Sequence, residues 1–172
     1  MSNPLLEQEG LPRFHSILPE HVEPAVDSLL AENRRNIEAL LERQDRPTWS
    51  SLVEPIELWE DRLERAWSPV SHLNSVMNSE ALREAYNACL PKLSDYGTEM
   101  GQNERLYAAY KAVAENEDAL DDGQRKVLDN ALRDFHLSGV DLPDDKKARF
   151  KAISQDLTAL TSDFSDKVLD AT

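Results

Sequence analysis

A chain of 172 residues with 40% hydrophobic and 30% charged side chains holds enough apolar material for one packed domain and is not a disordered tail. Five glycines and no β-branched runs exclude a β-rich fold. The net charge of −14, with no basic cluster longer than Arg34-Arg35 or Lys146-Lys147, argues against nucleic acid and anionic membrane as partners.

Residues 1–18 read as an extended lead-in punctuated by Pro4, Gly10 and Pro12, with Leu11, Phe14, Ile17 and Leu18 able to lie against the body. Pro19 suits the first turn of a helix, and Glu20 and Glu23 complement its positive end. Val22, Val26, Leu29, Leu30, Ile37, Leu40 and Leu41 then recur at helical spacing to about Arg43, with Pro24 early enough to be tolerated. After a polar connection at 44–47, Thr48 caps a helix carrying Leu52, Ile56, Trp59, Leu63 and Trp67, with Pro55 in its first turns. Trp49, Trp59 and Trp67 could form an aromatic ligand platform; the favoured reading is large core side chains.

Ser68-Pro69 predicts a break, after which Val70, Leu73 and Val76 resume the pattern beyond a kink. Asn78 or Ser79 starts the next helix, whose register Leu82, Tyr86, Cys89, Leu90, Leu93, Tyr96 and Met100 passes through a second kink at Pro91 and stops at Gly101. Asn103 opens a short helix with Leu106, Tyr107, Tyr110 and Val113. An acidic turn at 115–122 follows. Asp121 and Gln124 form a capping pair for a helix with Val127, Leu128, Ala131, Leu132 and Phe135, closed by Ser138-Gly139.

Pro143 begins the last helix, with Phe150, Ile153, Leu157, Leu160, Phe164 and Val168 as its face. Asp163, Asp166, Asp170 and the terminal carboxylate gather at its negative end without a basic turn or a glycine. The expectation is an element cut in its course: a true start at Met1 and a longer protein beyond Thr172. The fold expected is all-α, an antiparallel array of about six helices kinked near Pro69 and Pro91, forming a single segment over 1–172.

Chemistry is hard to place on this frame. Cys89 sits at core spacing with no cationic neighbour expected to lower its pKa, so it reads as a buried thiol. His15, His21, His72 and His136 are scattered. Three residues before each stand Pro12, Leu18, Pro69 and Arg133 rather than the glutamate of a di-iron bundle, and no HExxH occurs. His72 and His136 read as structural or solvated. No nucleophile elbow, Walker loop or dinucleotide fingerprint is present, so no catalytic, cofactor-binding or metal-binding residue is assigned. The first thirty residues lack a basic-then-apolar signal, and no run approaches the roughly 18 apolar residues of a membrane span. The expected location is the cytoplasm.

The most specific text is 66–103, within the run 62–110, RLERAWSPVSHLNSVMNSEALREAYNACLPKLSDYGTEMGQNERLYAAY. It resembles the N-terminal region of the thimet-oligopeptidase-like zinc metallopeptidases, family M3, with the bacterial oligopeptidases the nearer in wording. Flanking words agree in order: NPLL at 3–6, LPRF at 11–14, PEHVEPAV at 19–26, PTW at 47–49, NALRDFHLSG at 130–139 and VLDAT at 168–172.

The resemblance implies a cytoplasmic parent with two mostly helical lobes around a deep channel, which admits short peptides and excludes folded proteins. It implies zinc held by the histidines of an HExxH helix and a downstream glutamate, with the motif glutamate as general base. None of that lies within this chain, so the catalytic zinc domain is absent and this segment by itself is expected to be inactive and to carry no zinc. Its implied job is one wall and rim of the channel, and an acidic wall would favour basic peptides. The partners implied are short peptides and the remainder of the peptidase, with self-association of the segment, or cover by a partner chain, expected at exposed apolar faces along the last helix. The alternative is a stand-alone acidic helical interaction module. A catalytic or metal-storing bundle is a third reading.

Overall fold

A computed structural model describes residues 3–43, 45–116 and 120–171. Parts of two expected connections, residue 44 and residues 117–119, lie outside the described residues, as does the terminal carboxylate of Thr172. Within the described residues there are six α-helices and no strand: α1 (Pro19–Leu41), α2 (Glu54–Val76), α3 (Glu80–Gly101), α4 (Glu104–Ala114), α5 (Asp122–Leu137) and α6 (Asp144–Ala171).

The starts follow the expected chemistry. Thr48 Oγ1 accepts from the Ser51 N–H at 3.2 Å and opens a wide π-type turn, Trp49–Val53, that leads into α2. Ser79 and Asn103 accept from the N–H groups of Leu82 and Leu106. Asp121 and Gln124 exchange both bonds of a capping box. Gly139, at φ +84°, takes the left-handed turn that ends α5.

The prolines break nothing. α2 runs unbroken through Pro69, which is itself buried, so the break expected at Ser68-Pro69 is absent. α3 likewise runs through Pro91 and α1 through Pro24. Each proline omits one ladder bond from a long helix, and flanking turns packed on neighbours hold the backbone helical. The lead-in also differs from expectation. Leu11 is 89% exposed, and Phe14 and Leu18 are exposed too. Leu5 and Ile17 are the arm's buried anchors.

Two cores form. The first joins Val22, Val26 and Leu29 of α1 to Leu63, Ala66 and Val70 of α2 and Leu82, Cys89 and Tyr96 of α3. The second joins Ile37, at the other end of α1, to Leu52, Val53 and Ile56 and to Leu106, Val113, Leu128 and Phe135 of α4 and α5. That pairing of opposite ends makes α1 and α2 antiparallel. Met100 packs against both cores. Each fully buried aliphatic side chain contributes about 1.5–3 kcal/mol.

α6 carries the exposed apolar face expected of the last helix. It has no buried residue; Leu160 is 67% and Phe164 70% exposed, so the apolar face does not line a core. The opposite, polar face docks antiparallel on α3. Gln155 donates to Asp95 at 2.6 Å, Ser162 to Asn87 at 2.7 Å, and Asn87 to Asp166 at 2.9 Å. Arg83 of α3 meets Asp170 at 2.9 Å and Asp166 at 3.6 Å. It supplies the cation that the last turn of α6 lacks in its own sequence, and its hydrogen bond holds the Asp170 carboxyl below its usual range.

Candidate functional site

The reactive side chains do not converge. Cys89 is fully buried in the first core, and desolvation pushes its thiol up to about 11. A cation does stand nearby, contrary to expectation. Lys92, one turn on, pulls the thiol the other way, but its ammonium is held by Glu23 and Asp27, each at 2.7 Å. Burial wins, and Cys89 stays a protonated core thiol at neutral pH.

The histidines go to four places. His15 is exposed. His21 Nδ1 accepts from the Leu18 N–H at 3.1 Å and helps to cap α1. His72 meets the edge of Phe14 at 5.6 Å. His136 Nδ1 pairs with Asp141, and its Nε2 lies 3.0 Å from the Tyr107 hydroxyl. That line has the order of orienter, base and hydroxyl, but it is exposed and lines none of the concavities described below. It fastens α4 to the turn after α5. The tryptophans form no platform: Trp67 stacks on Tyr86 at 4.8 Å beside the first core, while Trp49 and Trp59 pack on the second.

Three of the concavities among the described residues bear on a site. One, of about 460 Å³, lies between the N-terminal arm and α2 and is lined by Leu11, Phe14, Arg65 and His72. Gln8 ties the arm down, donating to the Arg62 carbonyl at 2.7 Å and accepting on its own carbonyl from Arg65 at 2.8 Å. The second, about 530 Å³, is a groove between α3 and α6 lined by Tyr86, Leu90, Leu157 and Phe164.

The third, about 200 Å³, opens over the second core, where α2, α4 and α5 converge. Its walls include Ile56, Met100 and Phe135, and its polar groups include Glu57, Glu60, Tyr110 and Asp134. Gly101 allows the close approach that shapes it, because an added Cβ there would come within 2.6 Å of the Ser138 Cβ. Glu60 accepts a hydrogen bond from the Tyr96 hydroxyl. Desolvation raises the Glu60 pKa above 4.5, against that bond, and the charge of Glu57 adds to the rise.

Glu60 was not singled out in the sequence. The signal was there: Ile56, Glu60 and Leu63 fall on one helical stripe, which puts a carboxylate on the core face. Asn33, between Leu29 and Ile37, and Asn74, after Val70, follow the same rule and are buried. Asn33 donates to the Trp59 carbonyl at 3.4 Å, and Asn74 accepts from Asn78 at 2.8 Å.

Among known proteins, the chain is 50% identical over its whole length to oligopeptidase A of Haemophilus influenzae, covering 25% of that protein. It is 48% identical to oligopeptidase A of Escherichia coli, again over its whole length and 26% of that protein. A probable cytosolic oligopeptidase A of Arabidopsis thaliana is 36% identical over 99% of the chain, which covers 24% of that protein. The chain thus spans about a quarter of the length of the curated relatives it matches. Residues 26–147 match the family described as the N-terminal domain of neurolysin and thimet oligopeptidase. With that match across most of its helices, the chain belongs to the neurolysin/thimet oligopeptidase N-terminal domain family.

Proposed function

We propose that the chain is the N-terminal, non-catalytic portion of a longer cytoplasmic zinc oligopeptidase and forms a wall of the channel that admits its short peptide substrates. The carrying observation is the end-to-end match to oligopeptidase A at a quarter of that protein's length. No helix among the described residues is long and apolar enough to cross a membrane, which accords with the reading.

The described residues do not fit a zinc ion. Among the described residues no three His, Cys, Asp or Glu side chains gather closely enough to hold one. His21 and His136 are instead held by the bonds already described. The chemistry that the metal supplies in such peptidases, polarisation of a carbonyl and activation of water, belongs in this reading to the remainder of the protein. The role left to this portion is to bound the channel. The outward apolar stripe of α6 is then a contact face for that remainder.

The test compares a longer protein beginning with this chain against the chain alone, using internally quenched short peptides. Chelator-sensitive hydrolysis by the longer protein and none by the chain alone is expected. Hydrolysis by the chain alone, or none by the longer protein with zinc supplied, overturns the reading.

A further inference from the structure

The 200 Å³ cavity over the second core gathers carboxylates beside an enclosed phenol. Tyr110 is only 4% exposed, and its ring packs edge-on against Phe135 at 5.5 Å. Its hydroxyl has no hydrogen-bond partner among the described residues. Since no fully sealed side-chain oxygen or nitrogen there is left unpaired, that hydroxyl meets the open space of the cavity. A phenol otherwise so enclosed normally finds a partner.

Glu57 and Glu60 line the same space, and the charges of both act on the Tyr110 hydroxyl. Neither carboxylate has an ion pair among the described residues, and no cation is among the groups that shift Glu60. Three arginines on surrounding elements are engaged elsewhere. Arg34 of α1 holds Glu99 at 2.7 Å, Arg105 of α4 holds Glu38 at 2.7 Å, and Arg133 of α5 holds Asp134 at 2.9 Å.

The walls decide what kind of cation fits. Ile37, Ile56, Met100 and Phe135 make much of the lining apolar, which suits a methylene stem. A hard metal ion would need six or more oxygens around it. The room equals roughly six or seven waters at about 30 Å³ each, enough for a short alkyl chain with a planar or tetrahedral cationic head.

We propose that this cavity binds an alkyl-guanidinium or alkyl-ammonium group, the basic side chain of a bound peptide, with Glu57 and Glu60 facing the charge, Tyr110 accepting an N–H, and the apolar wall holding the stem. The peptide as occupant rests on the channel reading above; the chemistry of the pocket does not.

The experiment is a titration of the 15N-labelled chain with butylguanidinium and, separately, neutral butylurea, followed at the Gly101, Tyr110 and Ser138 amides. Saturable shifts with the cation are expected, with butylurea weaker by about tenfold, the weight of a charge-assisted hydrogen bond. Glu57→Gln with Glu60→Gln should weaken the cation about tenfold, and Tyr110→Phe about fivefold, with the remaining spectrum unchanged. Equal response to both probes, or unchanged affinity in the glutamine variants, overturns the site.

A second arm uses the longer protein and a pair of short peptides, one with arginine and one with citrulline at the same position. Preference for arginine that is lost in the glutamine variants supports the peptide as occupant. Cleavage of both peptides with equal kcat/KM overturns it and leaves the channel reading standing. Cleavage of neither peptide breaks the channel reading, while the probe titration still decides the pocket.

Discussion

α1–α5 and α6 obey opposite rules. In α1–α5 the apolar stripes turn inward onto two cores and most charges, Glu60 excepted, stay in water. In α6 the polar stripe turns inward onto α3 and the apolar stripe faces solvent. Both helix sets have good periodicity, so amphipathicity alone does not say which stripe faces the body. The neighbour decides. The side of α3 that receives α6 presents Arg83, Asn87, Ser94 and Asp95, and it accepts only a helix offering matching polar groups. Stability should divide along the same line, with much of the free energy in the two cores and little in α6.

The largest effect should come from the first core. Leu29→Ala removes a side chain with 0% exposure, in the same core as Val22 and Val70, and should destabilise the chain by about 3 kcal/mol in urea unfolding, through lost transfer energy and a residual cavity. Leu160→Glu on α6 should change stability by about 0.5 kcal/mol or less. The same variant should instead lower the concentration-dependent rise in mass that light scattering is expected to record for the unaltered chain. If both variants cost alike, or if the chain is a strict monomer at high concentration, the contrast between the regions is wrong.

A smaller effect tests the fastening itself. Asn87 bridges α3 to α6, taking the Ser162 hydroxyl at 2.7 Å and donating to Asp166 at 2.9 Å. Asn87→Ala should speed amide exchange along α6 by about fivefold to tenfold, the loss of one or two net hydrogen bonds. The second core should keep its protection. Uniform loss of protection throughout the chain would mean that α6 is integral to the body.

The sequence carries most of the frame. Caps at Thr48, Ser79, Asn103 and Asp121 are local chemistry, readable within four residues, and all four hold. The inward stripes of α1–α5 follow from spacing. What fails is non-local. Pro69 looks like a break because its cost is local, whereas the packing that keeps α2 helical on both sides is not. The outward stripe of α6 agrees with the exposed face expected of it, but its cause, the polar side that α3 offers, lies outside the helix's own sequence. The third cavity depends on Gly101 meeting Ser138 across two helices. Buried Asn33 and half-buried Glu60 were legible by their stripe positions, but their partners, the Trp59 carbonyl and the Tyr96 hydroxyl, were not.

The smallest expected effect concerns Glu60 and turns on sign. The groups acting on it are Tyr96 of α3, which donates a hydrogen bond, and Glu57 of its own helix. Tyr110 of α4 and Asp134 of α5 share its cavity, while Arg34 of α1 lies over the Tyr96 ring at 5.3 Å rather than on the carboxylate. Burial dominates and raises the folded pKa above 4.5. Between the unfolded and folded values the folded chain binds more protons. The contribution of this group is therefore fully present below the unfolded pKa and is lost as pH rises through the folded one. Glu60→Gln cannot titrate and keeps an oxygen for the Tyr96 hydroxyl. Relative to the unaltered chain it should gain stability as pH rises from 4 through that window and hold the gain to pH 7, as read from urea midpoints at each pH. A gain that instead shrinks as pH rises would mean that a cation from within the chain answers Glu60, and the cavity would then lack the unmatched charge that makes it a binding site.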